Sequence, residues 1–381
     1  MCSEPRSGFA ARVEGLQPGL RIGKEEVAME TAQTNLPQQR GRVLRAVFLG
    51  ALLSMMLLAG CLPKSPTNTA SNRTITVYGF SVMKESLEKA IFPAFAAKWK
   101  QEHGEEIKFT SSFAGSETVT NQILQGVGAD VAVLSIERDV DRLQQGGAVT
   151  SNWRALPHSG IVNKTPFVIL VRKGNPKAIR DFGDLGKPGV KIIHPDPVSS
   201  GGAMWSVLAI YGSELMKSEK ETGQRDNARA QQTLRAIWRN VISTPGSARE
   251  ARTQFETGFG DALITYELDA LLMKQAGAAI EIVIPEATIF SEHPAVVIDR
   301  NVTAAERPVV DAFVQYLWTE DAQRAFVKYH FRSITDESLD SANPDFAQIK
   351  IPFTVKELGG WSKAYPEIIE HIWRDQIKAG K

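Results

Sequence analysis

Short apolar, β-branched runs alternate with helical patterns from residue 75 to residue 377, and this alternation constrains the fold most. Strands are predicted at Ile75–Phe80, Ile107–Ser112, Asp130–Leu134, Thr165–Arg172, Gly189–His194, Asp261–Tyr266, Ile280–Pro285 and Ala295–Ile298. Helices are predicted at 86–100, 117–125, 203–215, 227–239, 249–256, 268–275, 308–318, 321–329 and 365–377. Pro93 falls inside the first and should kink or split it. Strand–helix alternation argues for an α/β fold with parallel pairing, because a parallel return needs a helical crossover. Two α/β lobes, with the chain passing from one to the other and back, fit this length.

Composition removes several classes. There are 44 basic and 43 acidic residues, a formal net charge of +1. A nucleic-acid binder driven by counterion release needs a basic excess. Cys2 and Cys61 are the two cysteines, too few for a disulfide scaffold or a multi-cysteine metal site. No G-x-S-x-G elbow, H-E-x-x-H, P-loop or G-x-G-x-x-G occurs. His194 is the one candidate base near a serine loop, and a strand-end histidine is read as structural.

Arg40, Arg42 and Arg45 precede an apolar run that ends in Leu-Ala-Gly before Cys61. A basic n-region, an h-region too short to span a bilayer and small residues at its end form an export signal. The last four residues resemble the lipobox of bacterial lipoproteins, which implies cleavage before Cys61 and lipidation of that cysteine; the alternative is a plain signal anchor. Residues 1–60 are therefore read as extension plus signal peptide, with Met29 an alternative start. Residues 61–73, polar and rich in Pro, Ser, Thr and Asn, are read as a flexible tether.

Three segments share one form, a strand or turn followed by Ser, Gly or Ala and then a helix. They are Ser112-Phe-Ala-Gly-Ser116, Pro197-Val-Ser-Ser-Gly-Gly-Ala203 and Thr244-Pro-Gly-Ser-Ala-Arg249. Each offers unpaired backbone N–H groups and a hydroxyl at a positive helix end, which suits an anion. Ordinary N-capping by Ser116, Ser200 and Ser247 is the plainer alternative. Two glycines after Ser200 exceed what a cap requires, since they let backbone approach a ligand.

From about Ile75 to Ile377 the chain resembles the periplasmic sulfate-binding proteins of sulfate/thiosulfate ABC importers. The resemblance rests on Val171-Arg-Lys-Gly-Asn-Pro-Lys177, Pro188-Gly-Val190, Pro195-Asp-Pro-Val-Ser-Ser-Gly-Gly-Ala-Met-Trp205, Gly246-Ser-Ala-Arg249, Gly260-Asp261 with Glu267, and Gly359-Gly-Trp361. It implies the two-lobed periplasmic-binding-protein type II fold, each lobe a central mixed sheet flanked by helices. The lobes divide as 74–164, 165–285 and 286–381, the last returning to the first lobe and ending in a helical tail. Carried onto this sequence, the site is Ser116, Ser200, Gly201, Gly202, Ala248 and Tyr266, with an amide near Ser81. The implied partners are sulfate or a related oxyanion, an ABC permease and its ATPase, and a membrane held through Cys61. No catalysis, cofactor, metal or nucleic acid is implied, and a monomer is expected.

Sulfate carries no proton at neutral pH, so its pocket needs donors alone, and hydroxyls, amides and a phenol supply them. This chain has Tyr266 where the family usually has tryptophan, and Asp196, Val198 and Met204 near the glycine pair. These departures leave thiosulfate, molybdate or phosphate open as ligands. Glu117 is expected to face solvent in its helix's first turn; turned inward it would accept from a protonated anion. An exported hydrolase or an anion-sensing lipoprotein are the rival classes. Arg249 either braces the third loop or touches the ligand.

Overall fold

The computed structural model of the chain describes residues 73–380. The signal, the lipobox with Cys61 and nearly all of the tether lie outside the described residues. The strands are β1 (Arg73–Phe80), β2 (Ile107–Ala114), β3 (Val131–Val133), β4 (Ile161–Arg172), β5 (Ile192–Ile193), β6 (Val241–Ser243), β7 (Ala262–Tyr266), β8 (Ile280–Val283), β9 (Ala287–Val297) and β10 (Ile351–Phe353). The main helices are α1 (Phe92–His103), α2 (Ser116–Leu124), α3 (Glu137–Gln145), α4 (Gly201–Thr222), α5 (Asn227–Arg239), α6 (Ala248–Glu256), α7 (Glu267–Gln275), α8 (Arg307–Tyr316) and α9 (Glu320–Lys328).

The strands run β2-β1-β3-β9-β4-β7-β5-β6, with β10 on β9 and β8 on β4. Pairing is parallel within each half, β1 with β2 and β3, and β5 with β6 and β7. It is antiparallel wherever β4 or β9 meets another of these path strands. The expected parallel pairing thus holds inside each half, and the sheet as a whole is mixed. β4 and β9 pair with each other through Ile161–Pro166 and Phe290–Pro294, then diverge into opposite halves. They are the two long strands that carry the chain across.

Most of β9 lies outside the run predicted at Ala295–Ile298. Ser291, Glu292, His293 and Pro294 interrupt the apolar pattern that signals a strand. Yet Ser291 and His293 are fully buried, and the Ser291 hydroxyl donates to the Thr165 carbonyl at 2.9 Å. The backbone makes the ladder whatever the side chain, so a buried polar residue that finds a hydrogen-bond partner can sit in a strand.

Pro93 does not split its helix, whose backbone stays helical from Lys84 to His103 with only a change of pitch. A π-turn at Leu87–Ile91 precedes α1, and Pro93 sits in the first turn of α1, where a missing N–H leaves no bond broken. α4 is buried from Gly201 to Ser218, begins at a Ser200 cap and ends at left-handed Gly223. It is hydrophobic nearly all round because β9, α5 and the C-terminal segment enclose it. The C-terminal stretch Tyr365–Lys378, wound at π pitch, packs Trp373 against Trp238 of α5 at 5.2 Å. Trp361 just before it packs against Trp205 of α4 at 4.7 Å.

Candidate functional site

Every loop of interest lies at the C-terminal end of a parallel strand, where the chain turns into a helix. Ser81 follows β1, Ser116 follows β2, Ser135 follows β3, Ser200 follows β5, Ala248 follows β6 and Tyr266 ends β7. In an open α/β sheet such ends are where ligands bind. Because the two halves face each other across β4 and β9, the loops of one half meet those of the other.

The meeting is tight enough to require glycine. A Cβ on Gly115 would overlap the Ser199 carbonyl and lie 2.8 Å from the Gly246 carbonyl. One point therefore brings together all three Ser/Gly segments. A Cβ on Gly201 would lie 2.7 Å from Ser135 Cβ and 3.2 Å from Ser116 Cβ, and one on Gly202 2.7 Å from the Tyr266 hydroxyl. Gly201 thus lets the α4 N-terminus reach the opposite half, and Gly202 lets it close on Tyr266 of its own half.

In the second half the donors are mainly backbone. Ser200 caps α4, its Oγ accepting from the Ala203 amide at 3.3 Å, so the Gly201 and Gly202 amides open the helix without intrahelical acceptors. Ser247 caps α6 in the same way for Glu250, which places the Ala248 amide at that helix's first position. Glu250 holds the Gly246 amide at 2.8 Å, and the Ser199 hydroxyl donates to the Gly246 carbonyl at 2.8 Å. Burial raises the Tyr266 phenol far above its ordinary value, so it keeps its proton and stays a donor. It shares a 2.9 Å hydrogen bond with Ser135 Oγ.

In the first half the groups are side chains. The cap of α2 is Gly115 and Ser116 is the first helical residue, which corrects the expectation that Ser116 caps the helix. A glycine cap leaves the Ser116 hydroxyl to other partners. It donates to Asp139 Oδ2 at 2.5 Å and accepts from the Ser135 amide at 3.0 Å. Glu117, expected to face solvent, is 6% exposed and paired with Arg138 at 2.7 Å and with Arg142. Two arginines one turn apart on α3 draw it inward, and they use its lone pairs. Ser81 is buried in a short turn after β1.

Arg249 braces the closure. Its guanidinium donates to the Ser81 carbonyl at 3.0 Å and forks onto Glu85, joining α6 to the opposite half. Burial works to raise the Glu85 carboxyl, yet the Arg249 bonds hold it below its ordinary value. His293, on β9 beneath the site, lies tilted 4.6 Å from Phe80 and edge-on 5.7 Å from Tyr266. Burial lowers its pKa to about 3, so it is neutral at working pH.

Sequence reading missed Ser135, Asp139 and the role of Trp205, whose indole donates to the Ser135 carbonyl at 2.7 Å. The signal was present, since Ser135 follows a strand and precedes a helix. The charge-rich α3 hid that pattern. His194 binds the Pro195 carbonyl at 2.6 Å and the Ser206 hydroxyl at 2.5 Å, and both side chains are fully buried. Ser206 also donates to the Ala203 carbonyl. This serine–histidine pair has no access for a substrate. Among the described residues no cluster of His, Cys, Asp and Glu could hold a metal ion, and no helix is long and apolar enough to cross a membrane.

A mixed sheet whose halves are joined by two long strands, with helix ends converging on one point, defines a periplasmic-binding-protein fold. The chain belongs to the bacterial extracellular solute-binding protein family, whose model matches residues 75–332. It is a solute-binding protein of the extracytoplasmic space and not an enzyme. It is 34% identical over 308 residues to the sulfate-binding protein of Synechococcus elongatus, 80% of this chain and 86% of that one. It is 36% identical over 280 residues to the sulfate-binding protein of Escherichia coli, 72% and 83% of the two chains. Among solved structures it matches the sulfate-binding protein SubI from Mycobacterium tuberculosis with a TM-score of 0.70 and 31% identity. That match covers 78% of this chain and 99% of SubI.

Proposed function

We propose that the chain captures an inorganic oxyanion, sulfate first, and delivers it to an ABC permease driven by its ATPase. The ligands are the hydroxyls of Ser116 and Ser200, the amides of Gly201, Gly202, Ala248 and the Ser81 turn, and the Tyr266 phenol. The observation that carries this reading is the convergence at Gly115, where three helix-opening loops from both halves meet. Helix N-termini aimed at one point stabilise a dianion without a lysine or arginine counter-ion. Dehydrating a dianion is costly unless each oxygen gains donors, and every group in this set is able to donate. Residues 74–164 and 286–381 form one lobe and residues 165–285 the other, with β4 and β9 as the hinge. The C-terminal helix leans on both, through Trp373 on α5 and through Tyr365, over which Arg138 lies at 3.5 Å.

The chain acts as a monomer held at the membrane by lipid on Cys61, a part of the reading carried by the sequence alone. Cys61→Ser should abolish labelling by a radioactive fatty acid, and a variant still labelled would refute the anchor. Equilibrium dialysis with radioactive sulfate tests the main reading. Retention competed by unlabelled sulfate supports it, and no retention of sulfate, thiosulfate, molybdate or phosphate overturns it. Thiosulfate is the second reading, favoured by Tyr266, whose phenol sets its donor at a different place from an indole. Thiosulfate-binding proteins are also among the relatives, 31% identical over 331 residues in Escherichia coli.

A further inference from the structure

The Ser116 hydroxyl has one hydrogen and two lone pairs. The Ser135 amide occupies one lone pair, and the hydrogen is directed to Asp139. The hydrogen that a fully ionised oxyanion needs is thus held by a carboxylate. We propose that the proton on Asp139 selects the oxyanion, a proposal that rests on Ser116 being an anion ligand. With Asp139 protonated, its O–H donates to Ser116 Oγ and fills the second lone pair. The Ser116 hydrogen then turns to the anion, and the site takes a fully ionised species such as sulfate. With Asp139 ionised, Ser116 keeps its hydrogen on the carboxylate and shows the anion a lone pair. That state suits an oxyanion still carrying a proton, such as hydrogen phosphate. Binding sulfate to the ionised form therefore takes up one proton from solvent, which ends on Asp139.

The surroundings favour such a switch. Asp139 is fully buried, and its Oδ1 makes no hydrogen bond among the described residues. The charged groups that face it are Glu117 from α2 and Arg138 and Arg142 from its own helix. Arg142 approaches Oδ1 at 3.8 Å, but both arginines are engaged by Glu117. Burial first, and then the Glu117 carboxylate, hold Asp139 well above the usual carboxylate range against the Ser116 bond and the two arginines. Glu117 itself is excluded as the acceptor by its ion pairs, so Asp139 is the carboxylate left beside the anion ligand.

The test is calorimetry of the full-length protein with sodium sulfate from about pH 5 to about pH 9, in buffers of different ionisation heat. Above the Asp139 pKa the sulfate Kd should rise by up to about tenfold per pH unit, with up to one proton taken up per sulfate. In Asp139→Asn the amide N–H takes the place of the acid O–H, and both effects should vanish. At alkaline pH this variant should bind sulfate tighter than wild type and inorganic phosphate weaker. A wild-type Kd that is flat with pH, with no proton uptake, overturns the proposal even if the variant fails to fold. So does a variant in which both anions tighten together, the mark of mere charge removal. Wild type that binds no oxyanion at any pH overturns the underlying reading, and the switch with it.

Discussion

The two sides of the cleft present the same kind of chemistry by different means. The second half offers mainly amides at helix starts, where Ser200 and Ser247 cap by accepting through Oγ, with the Ser200 hydrogen and the Tyr266 phenol beside them. The first half offers hydroxyls, Ser116 and Ser135, whose hydrogens answer to neighbouring groups. A backbone donor cannot rotate away or change its protonation, whereas a hydroxyl takes its role from whatever surrounds it. The second half therefore supplies affinity that varies little with conditions, and the first half is where selectivity can be tuned.

Substitutions ranked by expected effect test that division. Ser200→Asp should be the most damaging to binding. Aspartate caps a helix as well as serine does, so α4 should stay folded, while a carboxylate faces the anion. Sulfate affinity should fall more than about a hundredfold with an unchanged melting temperature, since charge opposed at close range costs several kcal/mol. Unchanged affinity would remove Ser200, Gly201 and Gly202 from the site. Gly115→Ala comes next. Its backbone angles suit alanine, so the added methyl strains only the meeting of the halves at the Ser199 carbonyl. Affinity should fall about thirtyfold, a cost of about 2 kcal/mol for overpacking, while ligand-free stability stays level. A loss of ligand-free stability instead would mean that the halves do not separate.

Arg249→Ala removes the brace between α6 and the Ser81–Glu85 turn. The sulfate off-rate, read by stopped flow, should rise about tenfold, the worth of a charge-assisted fork. Tyr266→Phe deletes one hydroxyl from a buried pair and should raise the sulfate Kd about fivefold, or about 1 kcal/mol. If Tyr266→Phe costs more than Ser200→Asp, the second half does not bind chiefly through its helix-start amides. The smallest effect on affinity is expected at His293, which acts on stability. Its folded pKa of about 3 lies below the unfolded 6.5. The unfolded chain binds the extra proton, so stability is full above pH 6.5 and is lost as pH falls toward 3. His293→Leu should flatten that part of the denaturation profile and leave sulfate binding at neutral pH in place.

How much was legible follows the same line. The second-half loops could be read because capping serines, paired glycines and a following helix are local rules, and α5 falls at the predicted 227–239. The first half hid more. α3 carries charge on most of its surface, and its contribution to the site is a buried aspartate that no local pattern marks. The inward turn of Glu117 depends on arginines one helix away, and the length of β9 depends on partners across the hinge. Contacts between segments far apart in sequence decided these points, and periodicity carries no record of them.

The most direct test of the central claim is a crystal structure grown with sulfate. The account places the anion between the Gly201 and Gly202 amides and the Ser116 hydroxyl, with Ala248 and Tyr266 within hydrogen-bond reach and no arginine or lysine touching it. An anion bound elsewhere, or one held at these loops by a basic side chain, would contradict it.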